Sequence, residues 1–204
     1  MSRPGAAAVA RTVLTVLVTA LVAAGCSTGS DAVAQGGSFQ FISPGGKTVI
    51  SYDPPSSRGS IGDLSGPDLL EQDTTRSVKA LAGDVVVLNI WGQWCAPCRT
   101  EAADLQQVYT ATKASGVSFL GIDVKDPNRS APQDFVRNRG ITYPSIYDPA
   151  YRTLVALGGD FPTSTTPATL VLDREHRVAV VFLEAITAEA LLPVVRKIAA
   201  ESGS

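Results

Sequence analysis

Apolar and polar positions follow three different patterns along this chain, and each pattern predicts an element. Residues 39–52, FQFISPGGKTVISY, alternate around Pro44-Gly45-Gly46 and read as a β-hairpin. Residues 53–68 read as a loop from their Pro, Gly and Ser content. Residues 69–84 have room for a short strand and a helical turn ending at Gly83. At VVVLNIW, 85–91, alternation gives way to a continuous apolar run bounded by Gly83-Asp84 and Gly92, the pattern of a strand buried on both faces. VSFLGIDV, 117–124, repeats it. Between them, residues 96–116 have helical spacing, with Leu105, Val108 and Tyr109 on one face, Pro97 in the first turn and Gly116 as C-cap.

Downstream, a second helix is expected over 130–140 with Ser130 as its N-cap, then a short strand over 143–148 and a short helix over 150–159 ending in glycine. Residues 168–173 and 177–184 read as strands about the turn Arg174-Glu175-His176, and residues 187–202 as a closing helix capped by Thr187. No internal repeat is present. The order β-α-β-α-β-α-β-β-α implies an α/β fold, a mixed sheet with helices on both faces.

The N-terminus differs in kind. MSRPGAAAVAR carries Arg3 and Arg11 and no acid, and an apolar run from Val13 to Ala24 follows. A short basic region, an apolar core and small residues describe an export signal, expected over 1–25. The run is short for a permanent membrane anchor, which needs about 20 apolar residues. LVAAGC resembles a bacterial lipobox, with Ala23 where leucine is usual, so Cys26 is the expected lipidation site. A plain secretory signal with an incidental cysteine is the alternative. Residues 26–38 are small, polar and Gly-rich and read as a flexible tether reaching roughly 40 Å at about 3.3 Å per residue. It leads to a single domain expected over 39–204.

Composition narrows the function. The 204 residues suit one domain plus extensions, and a net charge of −2 gives no basic footprint for nucleic acid. Export implies a compartment where disulfides persist. With Cys26 lipidated, Cys95 and Cys98 are the remaining thiols, too few for a disulfide-stapled scaffold.

Those two cysteines form WCAPC, 94–98, where a buried strand turns into a helix. A metal clamp needs four ligands as a rule, and one histidine with no second CxxC does not supply them. A structural disulfide is a second reading. The strand-to-helix context favours a third, a redox pair, because helix N-terminal N–H groups stabilise a thiolate at Cys95, and Cys98 lies one turn on. Attack by Cys95 on a disulfide, then resolution by Cys98, is the expected cycle.

VVVLNIWGQWCAPC resembles the active-site strand of the thioredoxin superfamily, in the form of the TlpA/ResA-like branch of membrane-tethered bacterial thiol-disulfide proteins, over about Phe39 to Ala200. The resemblance implies a thioredoxin-like sheet flanked by helices with an N-terminal β-hairpin extension. Trp94 matches the residue preceding the nucleophile. Asn89 stands where thioredoxins proper carry a buried aspartate, as is usual in the tethered branch. Glu101 matches an acid placed near the cysteines, expected to tune or deprotonate Cys98; a solvated helix carboxylate is the alternative. Thr166-Pro167 matches the cis-proline opposite the CxxC, where exposed backbone can pair with a substrate peptide; a proline merely opening a strand is the alternative. Ala103 replaces a proline that often kinks the family's helix. His176, Trp91, Phe161 and Pro162 read as turn, core and loop-packing residues. The implied function is reduction of protein disulfides, with apocytochrome c as client, electrons from a membrane thiol transporter of the CcdA/DsbD kind, no bound cofactor and a monomeric, lipid-anchored protein on the extracytoplasmic face. A disulfide-forming oxidase and a non-catalytic binding lipoprotein are the rivals.

Overall fold

The computed structural model describes residues 37–201. The segment expected to be an export signal, Cys26 and most of the expected tether lie outside the described residues. Among the described residues no helix is long and apolar enough to cross a membrane.

Eight strands and three α-helices are described: β1 Val49–Ser51, β2 Ser65–Pro67, β3 Thr75–Ser77, β4 Val85–Trp91, α1 Ala96–Thr112, β5 Val117–Val124, α2 Ser130–Asn138, β6 Ser145–Asp148, β7 Ala168–Leu172, β8 Val178–Phe182 and α3 Ala188–Ala199. Six strands form one sheet in the order β1-β8-β7-β4-β5-β6. β4, β5 and β6 run parallel, joined by α1 and α2, while β7 pairs antiparallel with β4 and with β8. All seven residues of β4 are buried, as its apolar run predicts. Val85, Val87 and Trp91 face a core shared with Leu105 and Val108 of α1 and Leu191 and Val195 of α3. Val86, Leu88 and Ile90 face the opposite core with Leu64, Leu154 and Leu157. This is the thioredoxin-like mixed sheet.

The helical layer is divided unequally. Core residues of all three α-helices belong to one face, and the other is closed by residues 37–64 and a 3₁₀ turn, Thr153–Leu157. Two consecutive right-handed crossovers, β4 to β5 to β6, advance in one direction and so leave both helices on one side. An N-terminal hairpin is present, but β2 and β3 make it. The alternating stretch 39–52 instead turns at Pro44–Gly46 and gives its second arm, β1, to β8, where Ile50 is buried. Asp68 holds the real hairpin, accepting the Leu70 and Glu71 N–H groups and Arg76 Nε at 2.6 Å. The hairpin covers the β6 edge, with Leu69 N–H donating to the Ser145 carbonyl.

Caps follow the sequence at one helix and not at another. Thr187 Oγ1 accepts the Ala190 N–H at the start of α3. Ser130 is the first residue of α2 rather than its cap; the Asn128 side chain accepts both the Ser130 N–H and its hydroxyl. Gly116 takes the left-handed conformation that ends the α1 segment, at φ 71°. α1 runs unbroken for 17 residues through Ala103.

Candidate functional site

The sheet register builds the site. Ile90 of β4 pairs with Ala168 of β7, and because the two strands are antiparallel, the end of β4 lies beside the start of β7. The chain leaving β4 reaches Cys95 in four residues, and the chain entering β7 passes through Thr166-Pro167, whose peptide bond is cis. The Thr166 carbonyl oxygen lies 3.7 Å from Cys95 Sγ. Asp53-Pro54 is a second cis bond, remote in sequence and unforeseen.

The turn from β4 into α1 is tightly specified. A Cβ on Gly92 would collide with the Trp94 indole and sit 2.8 Å from the Val124 carbonyl oxygen. Glycine therefore lets Trp94 fold back and donate its indole N–H to that carbonyl at 2.8 Å. Trp94 remains 44 % exposed, with Lys125 Nζ 5.4 Å from its ring centre. Cys95 is the N-cap of α1, and its sulfur accepts the Cys98 N–H at 3.2 Å. That contact delivers the helix N-terminal field to the sulfur. Cys95 and Cys98 are joined as a disulfide, and both are buried.

Beneath Cys98 lies the acid expected from the sequence. Glu101 is 1 % exposed, not a solvated helix carboxylate. Asn89 Nδ2 donates to Oε1 at 2.9 Å and the Ile186 N–H to Oε2 at 3.1 Å. Burial pushes the carboxyl up, and these two donors pull it back, leaving it at about 7. Asn89 also donates to Thr169 Oγ1 at 3.1 Å, so it holds β4, β7 and α1 together. Tyr143 lines the narrow cavity beside Asn89 and Cys98; burial, and then the Glu101 charge, push its phenol up.

The structure thus brings Cys95, Cys98, Trp94, Glu101, Thr166 and Pro167 to one end of the β4–β7 pair. Trp91 and Phe161 are core residues, and His176 is in its turn with Nε2 3.1 Å from the Leu81 carbonyl oxygen. Sequence reasoning missed the clamp on the loop before Cys95. The Gln93 N–H donates to Asp126 Oδ2 at 2.6 Å, and the Gln93 carbonyl accepts Arg99 Nη1 at 2.8 Å. Thr166 Oγ1, beside the cysteines, is buried without a hydrogen-bond partner among the described residues.

A thioredoxin-like sheet with a CxxC disulfide at the strand-to-helix junction, opposite a cis-proline, defines a thiol-disulfide oxidoreductase. The AhpC/TSA family model matches residues 61–181, and the chain belongs to that family. It is similar to thiol-disulfide oxidoreductase ResA of Geobacillus thermodenitrificans, 29% identical over 143 residues, covering 70% of this chain and 75% of that protein. Among solved structures it is similar to a secreted thiol-disulfide isomerase from Corynebacterium glutamicum, with 45% identity, a TM-score of 0.77, and coverage of 81% of this chain and 100% of the other. A DsbF homologue from Corynebacterium diphtheriae gives 46% identity, a TM-score of 0.73, and coverage of 78% and 99%.

Proposed function

We propose that this protein reduces disulfides of exported proteins, with Cys95 as attacking thiolate, Cys98 as resolving thiol and Glu101 as the group that receives the Cys98 proton. One observation carries the reading: a carboxyl held near neutrality is buried one helical turn from the resolving cysteine. In the forward cycle the reduced Cys95 thiolate attacks a client disulfide, one client sulfur leaves as a thiolate, and a mixed disulfide forms. Cys98 passes its proton to Glu101 and attacks Cys95 Sγ. The second client sulfur departs, and the enzyme is left with the Cys95–Cys98 disulfide. Trp94 and the backbone at Thr166-Pro167 flank the attacked sulfur and suit an extended client peptide.

The client is apocytochrome c, whose haem-attachment cysteines need reduction before ligation. Electrons return through a membrane thiol transporter of the CcdA/DsbD kind. The chain acts outside the cytoplasm, tethered through lipidated Cys26. The TlpA/ResA-like motif and the ResA relative support this direction. A second reading, shuffling or forming disulfides in secreted proteins, is favoured by the 45% identity to a secreted isomerase. The midpoint potential separates the two. A value of about −250 mV or below supports the reductant, and one near about −120 mV overturns it.

A further inference from the structure

Beneath the loop that delivers Cys95 lies a second pair of acids, which the exchange cycle does not use. Asp123 stands near the end of β5, opposite Trp91 of β4 and Tyr147 of β6 in register. It has no solvent exposure, and neither of its oxygens has a hydrogen-bond partner among the described residues. Asp126, 5 % exposed, lies three residues on, and its Oδ2 accepts the Gln93 N–H. Two neighbouring carboxylates offer each other only acceptors, and a buried carboxylate without a donor is costly. A single proton between them supplies the missing donor.

The surroundings agree with one proton and not with two charges. Burial first, then the neighbouring Asp126 side chain, push Asp123 up to about 10; Arg129 pulls it down and Asp148 adds to the push. Arg129 places its guanidinium 4.5 Å from the Tyr147 ring centre and donates Nη2 to the Asp68 carbonyl, and no hydrogen bond links its buried Nε to either acid. Asp148 is spent on the Arg152 and Thr153 N–H groups and the Thr153 hydroxyl. Tyr147 donates its hydroxyl to the Asp126 main-chain carbonyl, not to the acids. From β4, the Trp91 indole N–H is itself without a partner among the described residues.

We propose that Asp123 is held protonated, donates that proton as a hydrogen bond to Asp126, and thereby positions the Gly92–Trp94 loop and Cys95. The connection is continuous. Asp126 grips the Gln93 N–H, the Gln93 carbonyl takes Arg99, and Arg99 sits on the helix that carries both cysteines. The shared proton fixes the Asp126 carboxylate so that one oxygen faces Gln93. Asp123 is therefore a positioning residue and does not touch the client. This inference rests on Cys95 being the attacking thiol.

The test compares full-length wild type, Asp123→Asn and Asp123→Ala. At about pH 8.5, Glu101 should have lost its proton and Asp123 should have kept it. Infrared difference spectra there should show the carbonyl stretch of a protonated carboxylic acid in wild type, lost in Asp123→Asn. Iodoacetamide alkylation of Cys95 in the reduced protein should slow about fivefold or more in Asp123→Ala. Asparagine, which keeps a neutral donor, should restore it to within about twofold. Absence of the band, or Asp123→Asn alkylating as slowly as Asp123→Ala, would overturn the proposal. Should Asp123→Ala not fold, an Asp123→Asn rate more than about fivefold below wild type overturns it equally. A wild-type Cys95 that iodoacetamide does not reach would sink the exchange reading and this positioning role together, while the infrared band still reports the proton.

Discussion

Two buried acids share the helix-facing side of the sheet, and their surroundings treat them differently. Glu101 is closed in between α1, β4 and the segment before α3, yet receives two hydrogen bonds, from Asn89 and Ile186. Asp123 is closed in between β4 and β6 and receives none among the described residues. Burial pushes both upward, Glu101 to about 7 and Asp123 to about 10. The donors, and a second acid against Asp123, account for the gap. A carboxyl at about 7 can gain and lose a proton at neutral pH, as the role proposed for Glu101 requires, and one at about 10 keeps its proton there, as the positioning role proposed for Asp123 requires.

The largest effect that separates the two is on stability above neutrality. In the unfolded chain both acids ionise near pH 4. In the fold each keeps its proton longer, so the folded state binds more protons and stability falls as pH rises. For Glu101 that fall spans pH about 4.5 to about 7; for Asp123 it continues to about 10. Each group contributes at most about 1.4 kcal/mol per pH unit inside its window. Urea unfolding between about pH 7 and 9 should therefore show a fall in wild type that Asp123→Asn reduces and Glu101→Gln leaves in place. Equal slopes in wild type and Asp123→Asn would show that Asp123 is ionised in the fold.

Between about pH 5 and 7 both acids contribute. Glu101→Gln should remove a fall of at most about 3 kcal/mol from the stability profile, seen by the same unfolding experiment. Taking away a donor should make Glu101 resemble Asp123. Asn89→Leu is expected to raise the Glu101 midpoint and shift the pH profile of disulfide turnover upward, slowing turnover at neutral pH by about tenfold. An unshifted profile would mean the Asn89 hydrogen bond does not set the acid. The smallest effect belongs to Asp104, whose charge adds to the push on Glu101. Asp104→Asn should lower the Glu101 midpoint by about a few tenths of a pH unit, followed by carbon NMR of the carboxyl and diminishing with salt.

Legibility in the sequence tracks how local the cause is. The β4 run, the span of α1, the Thr187 cap and WCAPC are set by neighbours in sequence, and the structure places them where the pattern predicts. Glu101 is singled out by the family resemblance, but its burial depends on Asn89, 12 positions away, and Ile186, 85 positions away. The hairpin was misplaced because alternation in 39–52 is real, yet its second arm finds a better partner in β8. Arg58 shows the same limit: it is 1 % exposed and paired with Asp173 and Glu201, residues 115 and 143 positions away. Asp123 did leave a local signal, an acid inside the otherwise apolar run VSFLGIDV. Its meaning needed Asp126 and Gln93 in three dimensions.

The central claim is that Glu101 takes the Cys98 proton, and resolution of a mixed disulfide tests it most directly. A chromogenic thiol linked to Cys95 is released as Cys98 attacks, and stopped-flow absorbance gives the rate at each pH. The account predicts a wild-type rate that rises through an inflection near pH 7 to a plateau above it. In Glu101→Gln the inflection should move toward the ordinary thiol value of about 8.5, with a rate at neutral pH lower by about tenfold. Superimposable profiles for the two proteins would contradict it.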